Sequence, residues 1–323
     1  MVPSSVSVAT GAWTGPLVVS AAGPPSMETW AAERQPWIAD ALVEHGALLL
    51  RGFGVTSVDA FRAASAALLG QADEYRYQST PRTLIEKGIY TATEYPADAA
   101  IPMHNENAYQ RDWPTRLVFC CLQPAATGGE TPLARTANVT ARVGDDIVRM
   151  FAERRVLYVR NYGHGVDLPW ETVFQTRSRE DVEAYCRDES IEWEWLPGGR
   201  LRTRQVAQGV AAHPGTHQEL FFNQAHLFHI SSLGAEGQAL MLEVFDEVDV
   251  PRHAYFGDGG RIPESLLARV RAAFDAEAVT FAWEPGDVLL VDNMLVAHGR
   301  RPFTGARKVL VSMGDPFSRA PRT

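Results

Sequence analysis

Short apolar runs separated by turn residues occupy the middle and the end of this sequence, and they restrict the fold more than any other feature. The runs lie at 117–122, 156–159, 279–283, 288–291 and 309–313. Each has the length and composition of a β-strand. The run at 279–283 leads into Pro285-Gly286, the pair of residues that suits a type II turn. Such strands, joined by tight turns, predict a mainly β protein built as a sandwich or jelly roll.

Helical patterns occur near the start of the chain and in one late stretch. Apolar spacing over 27–44 predicts a helix that Gly46 ends, and a buried strand is expected at 47–51. Ser57 is a suitable N-cap for the next helix. Two more helical stretches fall within 234–275. Helices are therefore expected to decorate the β-structure from outside.

The chain shows no sign of division into separate domains. The first 25 or so residues are rich in Gly, Pro, Ser and Ala, and we expect them to form a loosely held edge. Beyond them, no linker-like composition separates two periodic regions. We therefore expect residues 1–323 to form a single domain.

Composition excludes several classes of function. Lys and Arg number 30 against 39 Asp and Glu, a formal charge of −9, which disfavours nucleic acid and anionic membranes as partners. No apolar run reaches the ~20 residues of a membrane-spanning helix, and the first residues lack the pattern of a signal peptide. The three cysteines have neither disulfide-framework nor zinc-ribbon spacing. A cytoplasmic protein is expected.

Two segments carry residues suited to metal chemistry. His104 and Glu106 are two positions apart, and in a strand-like conformation their side chains would project to the same side. A His-x-Glu pair alone is weak evidence. The segment 286–300 adds His298 after an apolar strand and a polar turn. Two histidines and one carboxylate on one face of a metal leave open positions, which suits Fe(II). Arg307, further along, is suited to bidentate binding of a carboxylate.

Three longer segments resemble the taurine dioxygenase (TauD/TfdA) family. They read HNENAYQRDWP, QPAATGGETPLA and GDVLLVDNMLVAHGRRPFTGARKVLVSM. Within the family, the sequence is similar to the branch of natural-product hydroxylases that includes the syringomycin-type aspartyl β-hydroxylase. The resemblance implies a double-stranded β-helix of the clavaminate synthase-like kind. It also implies an Fe(II) dioxygenase with His104, Glu106 and His298 as ligands, and 2-oxoglutarate as co-substrate held by Arg307 and Thr131.

Two departures from the family pattern affect these assignments. Glu106 stands where the founding members have aspartate, which keeps the number of ligands. It also fills the position that related halogenases open for chloride, so the resemblance favours hydroxylation over chlorination. The interval from His298 to Arg307 is shorter than in taurine dioxygenase, which leaves Arg301 as the alternative anchor for 2-oxoglutarate.

The resemblance also points to the substrate class. It implies a small amino-acid-like or peptide-like substrate together with O₂, the substrate being either free or bound to a peptidyl carrier protein. Asn223, in FFNQAHLFH, and Arg160, in RNYG, are the candidate substrate contacts, with a structural ion pair as the alternative for Arg160. Desaturation and epoxidation stay open beside hydroxylation.

Two other kinds of protein would fit the same residues. A zinc- or manganese-dependent hydrolase would use the triad without O₂ or 2-oxoglutarate. A jelly-roll module that binds metal without catalysis would lack a co-substrate anchor, and Thr131 together with Arg307 argues against it.

Overall fold

The computed structural model describes residues 13–21, 26–69, 77, 83–86, 88–92 and 95–318. Its largest feature is a seven-stranded sheet with the order β1-β2-β15-β6-β18-β4-β3, in which β1 and β2 pair in parallel and the other neighbouring strands pair antiparallel. The strands are β1 (Leu17–Ser20), β2 (Ala47–Arg51), β3 (Leu84–Glu86), β4 (Ile89–Thr91), β6 (Asp112–Gln123), β15 (Val288–Asp292) and β18 (Lys308–Ser318). β1 forms one edge of this sheet, so part of the expected loose edge is a regular strand.

A smaller sheet faces the large one and completes the jelly roll. It has the order β5-β16-β8, with β5 (Ile101–His104), β8 (Leu133–Arg135) and β16 (Val296–Arg300). A short pair, β7 (Thr127–Gly128) and β17 (Phe303–Thr304), lies beside it. Residues of both sheets, such as Leu49 and Val296, belong to one buried cluster. The fold is therefore a double-stranded β-helix, as predicted.

The large sheet is covered on both faces, which explains why its central strands are apolar throughout. Along β2, Leu48 and Leu50 pack with the N-terminal helices, whereas Ala47 and Leu49 face the smaller sheet. Side chains alternate between the two faces of a strand, so a strand buried on both sides needs an apolar residue at every position. The covering helices are α1 (Met27–Glu33), α2 (Gln35–His45) and α3 (Val58–Leu68).

The middle of the chain adds a four-stranded sheet and most of the remaining helices. The sheet has the order β10-β11-β9-β14, and β12 (Val210–Ala212) pairs with β13 (Glu219–Phe221). Its strands are β9 (Val156–Tyr162), β10 (Glu192–Leu196), β11 (Arg200–Ala207) and β14 (Arg252–Phe256). The α-helices are α4 (Thr136–Val143), α5 (Asp145–Arg154), α6 (Trp170–Val173), α7 (Arg179–Asp188), α8 (Ala225–Phe228), α9 (Gly234–Val244) and α10 (Glu264–Ala276), with 3₁₀ turns at Pro197–Gly199, Ile230–Leu233 and Glu247–Asp249. A third buried cluster joins this region to the jelly roll through Met103 and Ala297.

Most of the expected elements are present, and two are corrected. The helix expected over 27–44 is two helices that meet at Arg34, while Gly46 ends the second with a φ of 76°. The run 279–283 is not a strand, since Val279 makes only an isolated bridge to Leu133. Ser57 does cap α3, accepting the N–H of Ala60. No helix in the described ranges is both long and apolar enough to cross a membrane.

Candidate active site

His104, Glu106 and His298 converge at one end of the smaller sheet. β5 and β16 are antiparallel neighbours, and their pairing places His298 directly opposite His104. The Oε2 atom of Glu106 lies 3.8 Å from the Nε2 atom of each histidine. Two ligands on one metal ion at about 2.1 Å each are at most about 4.2 Å apart, so these distances suit a shared ion. No two of the three potential ligand atoms are more than 4.8 Å apart, so one ion could bind all three after at most a small shift of the two histidine rings.

The donor set fits iron in its chemistry as well as in its spacing. The Nδ1 atom of His104 lies 2.9 Å from the carbonyl oxygen of Pro102. That oxygen can only accept, so Nδ1 carries the proton and Nε2 keeps its lone pair for a metal. Glu106 and His298 are buried and His104 is partly buried. Two imidazoles and one carboxylate are the donors that Fe(II) uses when other positions must stay open.

Glu106 reaches this position by a different route from the one expected. The strand ends at His104, and Glu106 lies in the following turn. The fully buried side chain of Asn293 holds that turn. Its Oδ1 accepts the N–H of Glu106 at 2.7 Å, and its Nδ2 donates to the Glu106 carbonyl at 2.9 Å and to the Pro114 carbonyl at 2.8 Å. We call this set of hydrogen bonds the Asn293 clamp.

A cavity beside the triad contains both predicted co-substrate anchors. His104, His298, Thr131 and Arg307 all line it. The Nε atom of Arg307 donates to the Gly129 carbonyl at 3.1 Å. Burial lowers the pKa of Arg307 to about 10, so its guanidinium is still charged at neutral pH. The cavity therefore offers a cation and a hydroxyl to an anionic ligand next to the potential metal position.

Arg301, the alternative anchor, is placed differently. Its side chain is exposed, and it is not among the residues that line the cavity. The neighbouring Arg300 does line it, and donates to the carbonyls of Tyr95, Pro96 and Ala99. It was missed in the sequence, although its position two residues after His298 on a strand is a usable signal.

Trp283 is a second residue that sequence reasoning missed. Its indole Nε1 donates to the Oγ1 atom of Thr131 at 3.0 Å, and both side chains are buried. The Thr131 hydroxyl accepts this bond, which leaves its own proton available for a different acceptor. Trp283 therefore helps to orient the Thr131 hydroxyl.

The two predicted substrate contacts lie outside the lining of this cavity. Asn223 is buried; its Nδ2 donates to the Gly209 carbonyl and its Oδ1 accepts the N–H of Ala225. Arg160 is also buried, with its guanidinium carbon 5.1 Å from the ring centre of Tyr77 and 5.0 Å from that of Tyr162. These surroundings suit structural roles, and contact with the substrate stays a prediction for both residues.

His226 has a packed, hydrogen-bonded position behind the triad. Its ring stacks on Phe274, and burial lowers its pKa to about 4. The neutral ring donates from Nε2 to the Met103 carbonyl at 3.1 Å. Met103 immediately precedes His104, so this bond supports the end of β5.

Comparison with known proteins gives a consistent result. The model of the family described as "Taurine catabolism dioxygenase TauD, TfdA family" matches residues 16–313. The dapdiamide synthesis protein DdaC of Enterobacter agglomerans is 40% identical over 279 residues, covering 86% of this chain and 85% of the relative. A clavaminate synthase-like protein of Arabidopsis thaliana is 31% identical over 288 residues, covering 86% and 84%.

Solved structures agree on the fold. PvcB of Pseudomonas aeruginosa superposes with a TM-score of 0.53 at 18% identity, covering 93% of this chain and 85% of that one. An asparagine oxygenase superposes with a TM-score of 0.54 at 15% identity, covering 88% and 79%. Because the family model spans nearly the whole chain and a relative reaches 40% identity, this chain belongs to the TauD, TfdA family and is an iron(II)- and 2-oxoglutarate-dependent dioxygenase.

Proposed function

We propose that the enzyme hydroxylates an amino acid or a peptide-like intermediate in the biosynthesis of a specialised metabolite. The observation that carries the proposal is the convergence of His104, Glu106 and His298 beside a cavity that contains Arg307 and Thr131. The class of substrate is supported by the relative at 40% identity, which is a dapdiamide synthesis protein. Desaturation or epoxidation of the same substrates is the alternative outcome.

In this proposal the triad residues hold iron and the cavity holds 2-oxoglutarate. Together with O₂, these groups supply the oxidation of an unactivated C–H bond, with release of succinate and CO₂. Arg307 would bind the distal carboxylate of the co-substrate through a charge-assisted hydrogen bond, and the Thr131 hydroxyl would donate a hydrogen bond to the same carboxylate. Phe119, Val309 and Val311 give the cavity an apolar part beside these polar groups.

Glu106 has a further consequence for the type of reaction. Its carboxylate lies between the two histidines and is almost fully buried. It fills the position that a halide would need as a ligand. We therefore propose oxygen transfer rather than chlorination.

The experiment that tests the site is an anaerobic titration of the metal-free protein with Fe(II) and 2-oxoglutarate. We expect the weak visible charge-transfer band of the chelate to form in the wild type. At the same concentrations it should be lost in Arg307→Ala and retained in Arg301→Ala, a matched control that removes the same charge six positions earlier. A band that survives Arg307→Ala and disappears in Arg301→Ala would reverse the assignment. Absence of the band from metal-loaded wild type would favour the hydrolase alternative.

A second experiment addresses the substrate. Succinate release would be measured with free amino acids and with the same amino acids loaded on peptidyl carrier proteins. A product that gains one oxygen atom supports hydroxylation or epoxidation, whereas loss of two hydrogen atoms identifies desaturation. Turnover of free amino acids alone would exclude the carrier-bound form.

A further inference from the structure

A groove of about 730 Å³ lies outside the candidate active site and shares no lining residue with the cavity beside the triad. It is built on the more exposed face of β11, whose side chains alternate between buried and partly exposed. Val206 on β11 and Leu157 on β9 are paired across the sheet and form an apolar floor. The outer face of the four-stranded sheet thus carries a concave, partly apolar surface.

Three arginines, Arg111, Arg155 and Arg204, line this groove. Arg111 donates to the Ser190 hydroxyl at 2.5 Å, and Arg155 donates to the Val206 carbonyl at 3.2 Å. Arg204 lies 3.8 Å from the exposed carboxylate of Glu194. Arg111 and Arg155 thus donate to neutral acceptors, whereas Arg204 is paired with a solvent-exposed carboxylate.

The charge of the groove differs from that of the protein around it. Within the described ranges, neither Arg111 nor Arg155 has a carboxylate oxygen within 4.0 Å, whereas arginines elsewhere, such as Arg51 and Arg269, are paired with aspartates. The whole chain carries a formal charge of −9, so a cationic groove is not explained by its general composition. Among the described residues that line the groove, Glu192 is the acidic one, and it lies directly opposite Arg204 in the pairing of β10 with β11. Three guanidinium groups against Glu192 and the nearby Glu194 leave the groove with a small local excess of positive charge.

The backbone of Arg155 is a separate observation at the same place. This residue ends α5 with φ 60° and ψ −169°, a conformation that residues with a side chain rarely adopt. Such strained positions are frequent at binding sites, because the surrounding structure must hold them against their own preference. Here the strained residue presents one of the three guanidinium groups to the groove.

We propose that this groove is a second binding site, which takes a small phosphorylated molecule that also has an apolar part. Guanidinium groups match phosphate oxygens with paired N–H donors, and Arg111 and Arg155, which have no carboxylate partner among the described residues, favour an anionic phosphate group in this space. The apolar part would rest on Leu157 and Val206. A long nucleic acid is disfavoured by the negative charge of the rest of the protein. This site does not depend on the assignment of the iron and 2-oxoglutarate residues.

The test is isothermal titration calorimetry of the metal-free, full-length protein at low salt, with ADP, inorganic pyrophosphate and citrate as probes. We expect ADP to bind more tightly than pyrophosphate, because it adds an apolar ring, and citrate to bind least. Arg111→Gln and Arg204→Gln should each weaken ADP binding roughly tenfold or more, the loss expected for one charge-assisted contact. Circular dichroism of each variant checks that the fold is intact.

Two further variants are the controls. Arg177→Gln removes the same charge from an exposed residue outside the groove and should leave ADP binding nearly unchanged. Arg307→Ala should also leave ADP binding unchanged. Loss of ADP binding in Arg307→Ala would place the ADP in the co-substrate cavity and overturn the proposal. Absence of ADP binding to the wild type, or equal binding by Arg111→Gln, Arg204→Gln and wild type, would overturn it as well. Citrate binding as tight as ADP would exclude a phosphate site.

Discussion

At the scale of single residues, the position of the Glu106 carboxylate depends on an amide side chain far away in the sequence. The Asn293 side chain hydrogen-bonds to both the backbone N–H and the carbonyl of Glu106, as the backbone of a neighbouring strand would do. The same residue lies in the turn that leads to His298 on β16. One side chain therefore fixes the relative placement of two segments that carry proposed ligands.

The Asn293 clamp predicts that Asn293→Ala weakens metal binding without touching a ligand. The variant leaves buried backbone groups of Glu106 and Pro114 without their partner, and changes to groups that orient metal ligands typically cost 10–100-fold in affinity. We expect a loss of at least roughly tenfold in Mn(II) affinity, measured by anaerobic calorimetry. Asn138→Ala is the matched control, since the amide of Asn138 donates to Glu277 away from the triad. Equal affinities in the two variants would show that the clamp does not support the metal site.

Trp283 gives a prediction for the co-substrate. Trp283→Phe keeps most of the buried ring but removes the N–H that orients the Thr131 hydroxyl. Loss of one neutral hydrogen bond of about 0.5–1.5 kcal/mol predicts a roughly 2–10-fold higher KM for 2-oxoglutarate. Fe(II) affinity should not change, because the hydrogen bond and the ring contact of Trp283 are made to Thr131 and Phe281 rather than to a proposed iron ligand. Thr131→Ser keeps the hydroxyl and serves as the control; a larger effect in Thr131→Ser than in Trp283→Phe would contradict this role.

The residues that could be predicted from the sequence are those whose chemistry is in the side chain itself. The types and spacing of His104, Glu106 and His298 indicated a metal site. Asn293 could not be identified in this way, because its role is to hydrogen-bond to the backbone of a turn that is distant in the sequence. Trp283 looked like an ordinary apolar residue of a strand.

At the scale of elements, apolar spacing reports burial more reliably than it reports backbone pairing. Phe281 and Trp283 alternate as strand residues do, and both contact the core between the two sheets. Their backbone, however, makes only the single bridge at Val279. The strand predicted at 279–283 is therefore wrong, although the side chains it was expected to bury do lie against the core.

The sequence contains a signal for the break between α1 and α2, but the apolar spacing alone predicted one continuous helix. Pro36 lies at the first turn of α2, where it is tolerated, and its ring would clash with the carbonyl four residues earlier in a continuous helix. The chain therefore starts a new helix after Arg34. Both helices still cover the same face of the large sheet.

On β14, His253 predicts how stability depends on pH. Burial, with help from the neighbouring His229, lowers the pKa of His253 to about 3, and its Nδ1 accepts the N–H of Ile230. Below about pH 6.5 the unfolded chain takes up this proton more readily than the folded one, so stability falls as the pH falls. Between pH 7 and pH 5 we expect a loss of up to about 2 kcal/mol from this group.

Urea denaturation at pH 7 and pH 5 measures this loss, with His253→Gln beside the wild type. The variant should be less stable at pH 7 and should lose less stability on acidification. His217→Gln, which changes an exposed histidine, is the control. A pH dependence in His253→Gln as steep as in the wild type would assign the effect to other groups.

At the scale of the whole molecule, the jelly roll could be predicted but the four-stranded sheet could not. The apolar runs indicated β6, β15 and β18 of the large sheet and also β9 of the four-stranded sheet, and Pro285-Gly286 indicated the turn before β15, where Gly286 has a φ of 85°. The pairing of β9 with β11 and β14 joins segments separated by long stretches of chain. Local patterns do not specify such partners. The convergence of His104 and His298 has the same non-local origin, and there the family resemblance replaced the missing information.

The three buried clusters predict that the molecule unfolds as one unit. The large sheet contributes to two clusters at once through β2, β6, β15 and β18. The smaller sheet joins the third, since Ala297 and Val296 are consecutive residues of β16 that pack into different clusters. Loss of one cluster would therefore expose strands that the others need. We expect a single transition in differential scanning calorimetry, which would support one domain.

Ligand binding should raise the temperature of this single unfolding transition. At a hundred times the dissociation constant, Mn(II) with 2-oxoglutarate adds about 2.7 kcal/mol to the folded state, a rise on the order of 5 °C in Tm. His298→Ala should show the single transition without the rise, because it removes a proposed ligand but only one side chain from the packing. Two separate transitions in the wild type, with only one shifted by the ligands, would instead mean that the four-stranded sheet folds independently of the jelly roll that holds the metal.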